Sequence, residues 1–310
     1  ALYDTATAAV SKSVTVSALA LNGTDAANYT LVQPMLVGAI NKATATVIFS
    51  TPLSVVYDAT SRAVGTTTTP SALTVVVQYS GRGATSFATS TTGPIDAGNY
   101  GVAASINETN YLGTNAADFT IEKQLLPVAL ETAALTTTFT GRARFVAATT
   151  MPLGKQVGVL YQGSGSTTYA ASTYAPTNAG TYAVTATIEE RNFQGTSTQT
   201  LTVAKANQET LSIVNTAPVV YGDTTTSLLA KGGTGNGAIT YAKVSGPCTI
   251  NSVTGAVLTT GVGSCVVRAS KAASDNVEAA VSATRTLEIV KAPQEVAFTS
   301  STPSSPVAGD

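Results

Sequence analysis

Along Tyr100-Gly-Val102-Ala-Ala104-Ser-Ile106 every second residue is Tyr, Val, Ala or Ile, and the alternation returns at Tyr182-Ala-Val184-Thr-Ala186-Thr-Ile188. A period of two predicts strands that turn these residues to a core and Gly, Ala, Ser or Thr outward. Val75, Val77, Tyr79 and Val157, Val159, Tyr161 predict a second strand in each stretch, running into the turns Gly81-Arg-Gly83 and Gly163-Ser-Gly165. Sliding the chain by 82 residues lays Pro70, Gly81, Gly83, Pro94, Ala97, Gly98, Asn110, Gly113 and Lys123 on Pro152, Gly163, Gly165, Pro176, Ala179, Gly180, Asn192, Gly195 and Lys205 without a gap. One structural unit is therefore used at least twice.

A recurrent closing strand marks where units end. Gly38-Ala-Ile40-Asn-Lys42, Phe119-Thr-Ile121-Glu-Lys123, Leu201-Thr-Val203-Ala-Lys205 and Leu287-Glu-Ile289-Val-Lys291 place lysines 81, 82 and 86 residues apart. The expected domains are a partial β domain at 1–43, sandwiches at 44–124, 125–206 and 207–292, and the start of a further β repeat or a tail at 293–310. Almost no linker separates them, so neighbours are expected to stack stiffly end to end. Asp96-Ala-Gly-Asn-Tyr100 and Asn178-Ala-Gly-Thr-Tyr182 have the form of a tyrosine corner, in which the hydroxyl returns to upstream backbone; Tyr100 and Tyr182 are thus read as structural. Asn110 and Gly113, with Asn192 and Gly195, are expected to close a repeat-end turn, the ring of Tyr111 or Phe193 covering an end of the core.

Composition removes several kinds of chemistry. Charged residues make up 11 % of the chain and the net charge is −1, so no basic surface exists to displace counterions from a nucleic acid. Apolar runs such as Leu73 to Val77 are strand-length, which predicts no membrane insertion. Histidine is absent, removing Ser-His-Asp and Cys-His nucleophiles and histidine-bound metals. The carboxylates are dispersed, and the neighbours Glu189 and Glu190, read as strand residues, are expected to point to opposite faces. No catalytic residue, metal or cofactor is expected. Lys231-Gly-Gly-Thr-Gly235-Asn-Gly237 lacks the ending of a phosphate loop and reads as a hairpin turn. Threonine runs at 66–69, 136–138 and 224–226 read as strand formers, since no strict Thr-X-Thr ladder recurs at a fixed interval. A Lys–Asn crosslink at the recurring lysines is less economical than a boundary role. The opening Ala1-Leu-Tyr-Asp4 has no basic segment before an apolar one, so a secretion signal is expected outside this sequence.

With these residues in view, the middle of the chain resembles the MBG (mostly beta, glycine-rich) repeats of large bacterial surface proteins. The resemblance rests on Pro176-Thr-Asn-Ala-Gly-Thr-Tyr-Ala-Val-Thr-Ala-Thr-Ile188 with its tail Asn192-Phe193-Gln-Gly195. The copy at 44–124 has Tyr57-Asp58-Ala59, alanine standing where the family commonly shows glycine, and the next copy has Phe139-Thr140-Gly141. Residues 3–43, with Val14, Val16 and Asp25-Ala-Ala-Asn28-Tyr29, resemble the latter part of a YDG-type repeat. Residues 207–292, with Tyr221-Gly222, Gly232-Gly233, Pro247-Cys248 and Gly263-Ser-Cys265, resemble bacterial Ig-like repeats that carry paired cysteines. The resemblance implies an all-β chain of tandem immunoglobulin-like β-sandwiches, extracellular or on a bacterial cell surface. In such exported modules Cys248 and Cys265, 17 residues apart, are expected to form a disulfide between neighbouring strands, two buried free thiols being the alternative. The implied role is a non-catalytic stalk of an adhesin-like protein, with neighbouring domains of the same chain as its partners. A subunit of a self-assembling fibre, pairing with other copies of itself, and a glycan- or host-protein-binding module are the alternatives.

Overall fold

A computed structural model describes residues 1–299. The alternation becomes strands: in Gly98–Asn107 the side chains of Tyr100, Val102, Ala104 and Ile106 are buried while Ala103, Ser105 and Asn107 are exposed. Gly180–Ile188 repeats this with Tyr182, Val184, Ala186 and Ile188. Among the described residues the helical segments are two single 3-10 turns, Ala26–Asn28 and Thr132–Ala134. Apart from those turns the described residues are all-β, with sheets facing each other across a core. It divides into two compact units, one of Ala1–Val128 with Thr150–Gly158 and Thr187–Thr196, the other of Ala129–Thr149, Val159–Ala186 and the residues from Ser197 onward. Of the stretch expected to start a further repeat, 293–299 form no strand, and 300–310 lie outside the described residues.

In the first unit, Ala43–Thr44, Tyr111–Glu122, Gly98–Asn107 and Val76–Gly81 form one sheet in that order, with Ser54–Val56 also on Tyr111–Glu122. The long central pair is antiparallel from Leu112 opposite Asn107 to Ile121 opposite Gly98, whereas Ala43–Thr44 and Ser54–Val56 run parallel to the last strand. Thr46–Phe49 and Thr66–Thr69 form the facing pair. Between them lie Val64, Tyr79, Tyr100, Val102, Phe119 and Ile121, continued by Ala45, Val47, Ala104 and Ile106. Each large apolar side chain so buried contributes about 1.5–3 kcal/mol. Ala59 has a φ of 65° where the next copy has Gly141 at 76°, so its Cβ costs about 1 kcal/mol that glycine avoids. Residues 1–43 form an antiparallel sheet of Leu2–Tyr3, Ala9–Thr15 and Met35–Ile40 that buries only Lys12, whose ammonium meets Asp4 at 2.9 Å.

The second unit holds most of a four-stranded sheet of order Thr136–Thr138, Thr196–Ala204, Gly180–Ile188, Val157–Gly163. Beyond it, Val219–Val220, Arg285–Val290, Gly263–Lys271 and Ile239–Ser245 form a sheet of the same order, with Ala280–Val281 added to Gly263–Lys271. Again the first strand lies parallel to the last, Thr136 opposite Thr202 and Val219 opposite Ile289. Cys248 and Cys265 are joined, with Cα atoms 6.0 Å apart and both side chains fully buried among Leu228, Val257, Val267 and Leu287. The bond does not join paired neighbours. Cys248–Ile250 pairs with Val257–Thr259 in one sheet and Cys265 lies in the other, so the disulfide spans the core between sheets.

Two loop readings change. The glycine-rich segment is no hairpin: it carries the chain from Ala230–Lys231, paired with Ser212–Ile213, to Ile239–Ser245 in the other sheet. Gly232 and Gly233 take φ of 95° and 74° to make that crossing. Thr225 and Thr226 are not in a strand; their hydroxyls donate to the Asp223 carboxylate, which draws its pKa down to about 2.

Candidate functional site at the repeat junctions

The tyrosine loops come first because a side chain's local bonds fix their shape. Tyr100 donates its hydroxyl to the Asp96 carbonyl at 2.6 Å, and Tyr182 donates to the Asn178 carbonyl at 2.8 Å. A Cβ on Gly98 would lie 2.8 Å from the Thr85 side chain, and one on Gly180 would press on Thr167 in the same way. Both phenol rings are buried against an aromatic edge, Phe87 for Tyr100 and Tyr169 for Tyr182, at 5.5 Å. Burial pushes both phenols up; the Arg191 charge opposes this at Tyr100.

The asparagine turns meet these loops. Asn110 and Asn192 use their backbone carbonyls to accept the N–H of the residue after a repeat-end lysine: Ala43 at 2.8 Å and Gln124 at 2.9 Å. Their Oδ1 atoms accept the N–H of Ala8 and Ala97, each at 2.8 Å. Asn276, which sequence reading passed over, does the same with Ala206 N–H at 2.9 Å and Ala179 N–H at 2.7 Å. The missed signal was its spacing, since Asn110, Asn192 and Asn276 stand at nearly equal intervals. The lysines reach across as well, Lys42 to Asn107 Oδ1, Lys123 to the Glu190 carbonyl and Lys205 to the Ser274 carbonyl, at 2.7, 2.8 and 2.7 Å.

Gly113 and Gly195 sit where backbone passes close by. A Cβ on either would overlap a carbonyl, that of Ala45 or of Leu126. Tyr111 packs on Ala45, Val47 and Ile106. The Phe193 ring stands edge-on to Tyr57 at 5.5 Å with the Lys155 ammonium 3.7 Å from its centre. Tyr57 packs against the cluster of Val64, Tyr100 and Phe119, so the ring bridges consecutive repeats. The Glu189-Glu190 pair lies just past the strand Gly180–Ile188 and not within it; Glu190 is held by Lys155 at 3.6 Å and by the Gln156 N–H at 2.8 Å, a structural use of one member of the pair. In the second unit a cleft of about 830 Å³ opens beside Tyr182, lined by Thr167, Tyr169, Thr177, Lys205 and Asp275.

The MBG domain family profile matches residues 45–125 and again 128–207, just over half of the chain. The chain belongs to the MBG domain family. The first asparagine turn and tyrosine loop to meet, Asn192 and Asp96-Ala97, come from the two consecutive MBG repeats. No curated protein sequence matches the chain. Among solved structures, the three N-terminal domains of the bacteriophage RB49 outer capsid protein Hoc align over 81 % of the chain and 99 % of their own length, at 12 % identity and a TM-score of 0.30. Drosophila N-cadherin EC1-4 aligns over 84 % and 80 %, at 10 % identity and 0.29. The Bacteroides ovatus glucan-utilisation protein SGBP-B aligns over 90 % and 70 %, at 13 % identity and 0.17.

Proposed function

We propose that this MBG chain is a non-catalytic spacer of an extracellular, adhesin-like bacterial protein, holding a functional end away from the cell. The observation that carries the reading is the recurrent asparagine, bonded through both backbone and side chain to the sequence before it at Asn110, Asn192 and Asn276. A tether that only linked its ends would gain nothing from ordering each joint, because such ordering loses conformational entropy. The joining residues also become edge strand, Gln124–Leu125 pairing in parallel with Phe193–Gln194. The buried disulfide fits an oxidising, extracellular setting. Small-angle scattering tests the reading: sandwiches spanning roughly 30–40 Å each give a maximum dimension of about 110–140 Å, whereas the dimension of one compact globule would refute it.

The cleft beside Tyr182 favours a second reading as a ligand-binding module, since its size lies within the range of small-molecule sites. A glycan array probed with the whole chain separates the two.

A further inference from the structure

The two junctions share a clasp and differ in its charges. Asn192 accepts the Ala97 N–H and donates from Nδ2 to Asp96 Oδ1 at 2.9 Å. Asn276 accepts the Ala179 N–H and donates to Asn178 Oδ1 at 3.1 Å. The residue before each asparagine differs. Arg191 lies 3.0 Å from the free oxygen of the Asp96 carboxylate. Its counterpart before Asn276 is Asp275, an acid, and there the receiving residue is the neutral Asn178. The turn Asp275-Asn276 seated on Asp96 would bring carboxylate to carboxylate; Arg191-Asn192 seated on Asn178 would find no counter-charge. Asn110 makes only the backbone half of the clasp, to Ala8, and uncharged Thr109 precedes it.

We propose that the Asx-Ala-Gly loop before each tyrosine is a receptor for the asparagine turn of the next module, and that the residue preceding the asparagine specifies which module fits. The partner at Asp96 is an Arg-Asn turn, and the partner at Asn178 tolerates an Asp-Asn turn. Attraction comes from the asparagine and is common to both junctions. Discrimination comes from repulsion in the mismatched pair, since specificity is a difference of affinities. The matched ion pair is itself half exposed, 56 % at Arg191 and 41 % at Asp96, and pairs of that kind stabilise little. The inference deepens the spacer reading and rests on it, because ordered joints matter only where the joints set geometry.

Amide hydrogen exchange at Ala97 and Ala179, followed by NMR on the whole chain, reads the clasp directly, because asparagine side chains hold both N–H groups. Asn192→Ala should speed exchange at Ala97 and leave Ala179 unchanged. Arg191→Asp should speed Ala97 exchange about fivefold, the effect of one exposed like-charge contact, and adding Asp96→Asn should restore it by recreating the second junction's pair. At that second junction Asn178→Asp should speed Ala179 exchange, and adding Asp275→Arg should restore it. Unchanged Ala97 exchange in Arg191→Asp, or no rescue at either site, would overturn the charge matching. If scattering on the same wild-type sample still gave the long dimension, the spacer reading would stand alone. A compact wild type would remove both.

Discussion

Tyr79 and Tyr161 use their buried hydroxyls to accept the N–H of Val64 at 2.6 Å and of Val146 at 2.9 Å. Tyr100 and Tyr182 donate instead, to the carbonyls of Asp96 and Asn178. The two pairs of tyrosines are therefore not equivalent under substitution by phenylalanine. Tyr161→Phe strands a buried N–H and should lower stability by about 1–3 kcal/mol, whereas Tyr182→Phe removes a donor from a loop carbonyl and should cost about 1 kcal/mol. Denaturant unfolding of the two variants checks the order; a larger loss in Tyr182→Phe would contradict it. The corner tyrosines were legible because their spacing from Asp96 or Asn178 and from Gly98 or Gly180 is a local pattern. The acceptor role of Tyr79 and Tyr161 was not, because Val64 and Val146 lie in another strand connection and only packing brings them near.

At the scale of elements, Gly263–Lys271 occupies in its sheet the place that Gly98–Asn107 and Gly180–Ile188 occupy in theirs. Cys265 thus stands where Tyr100 and Tyr182 stand, two residues after the entering glycine. A covalent bond across the core replaces the tyrosine's hydrogen bond at that position. Closing a loop of 17 residues contributes about 3 kcal/mol in the chain-entropy account. Reduction should therefore lower the denaturant midpoint of the 207–292 region while leaving the first unit's transition in place. Coincident loss of both transitions would show that the bond supports more than its own core. The alternation of strands was readable from sequence, but the pairing of Cys248 with the second sheet was not, since period two fixes a residue's face and not which sheet lies opposite.

For the molecule as a whole, the N-terminal sheet stands out because it buries no apolar side chain. Leu2, Val10, Val32, Met35 and Val37 are all exposed, Met35 to 94 %; Met35 and Val37 share one face of the strand Met35–Ile40, and exposed apolar surface favours association. Sedimentation velocity should show association that rises with concentration, and Met35→Glu with Val37→Glu should reduce it. Equal behaviour of wild type and variant would remove the fibre alternative's structural basis. A glycine-rich, weakly charged chain has few long-range charges to hold modules apart or together, so contacts at the joints carry the greater share of their order.

The sequence by itself determined the repeat, the strands and the corner tyrosines, because each depends on residues close along the chain: a period of two, a glycine beside a tyrosine, a lysine at a strand's end. Only the tertiary structure decided that Asn192 meets Asp96, that Asn276 meets Asn178, and that Phe193 leans on Tyr57. Those pairs lie roughly 100 residues apart or more, and nothing local to either member records its partner until folding closes the loop between them.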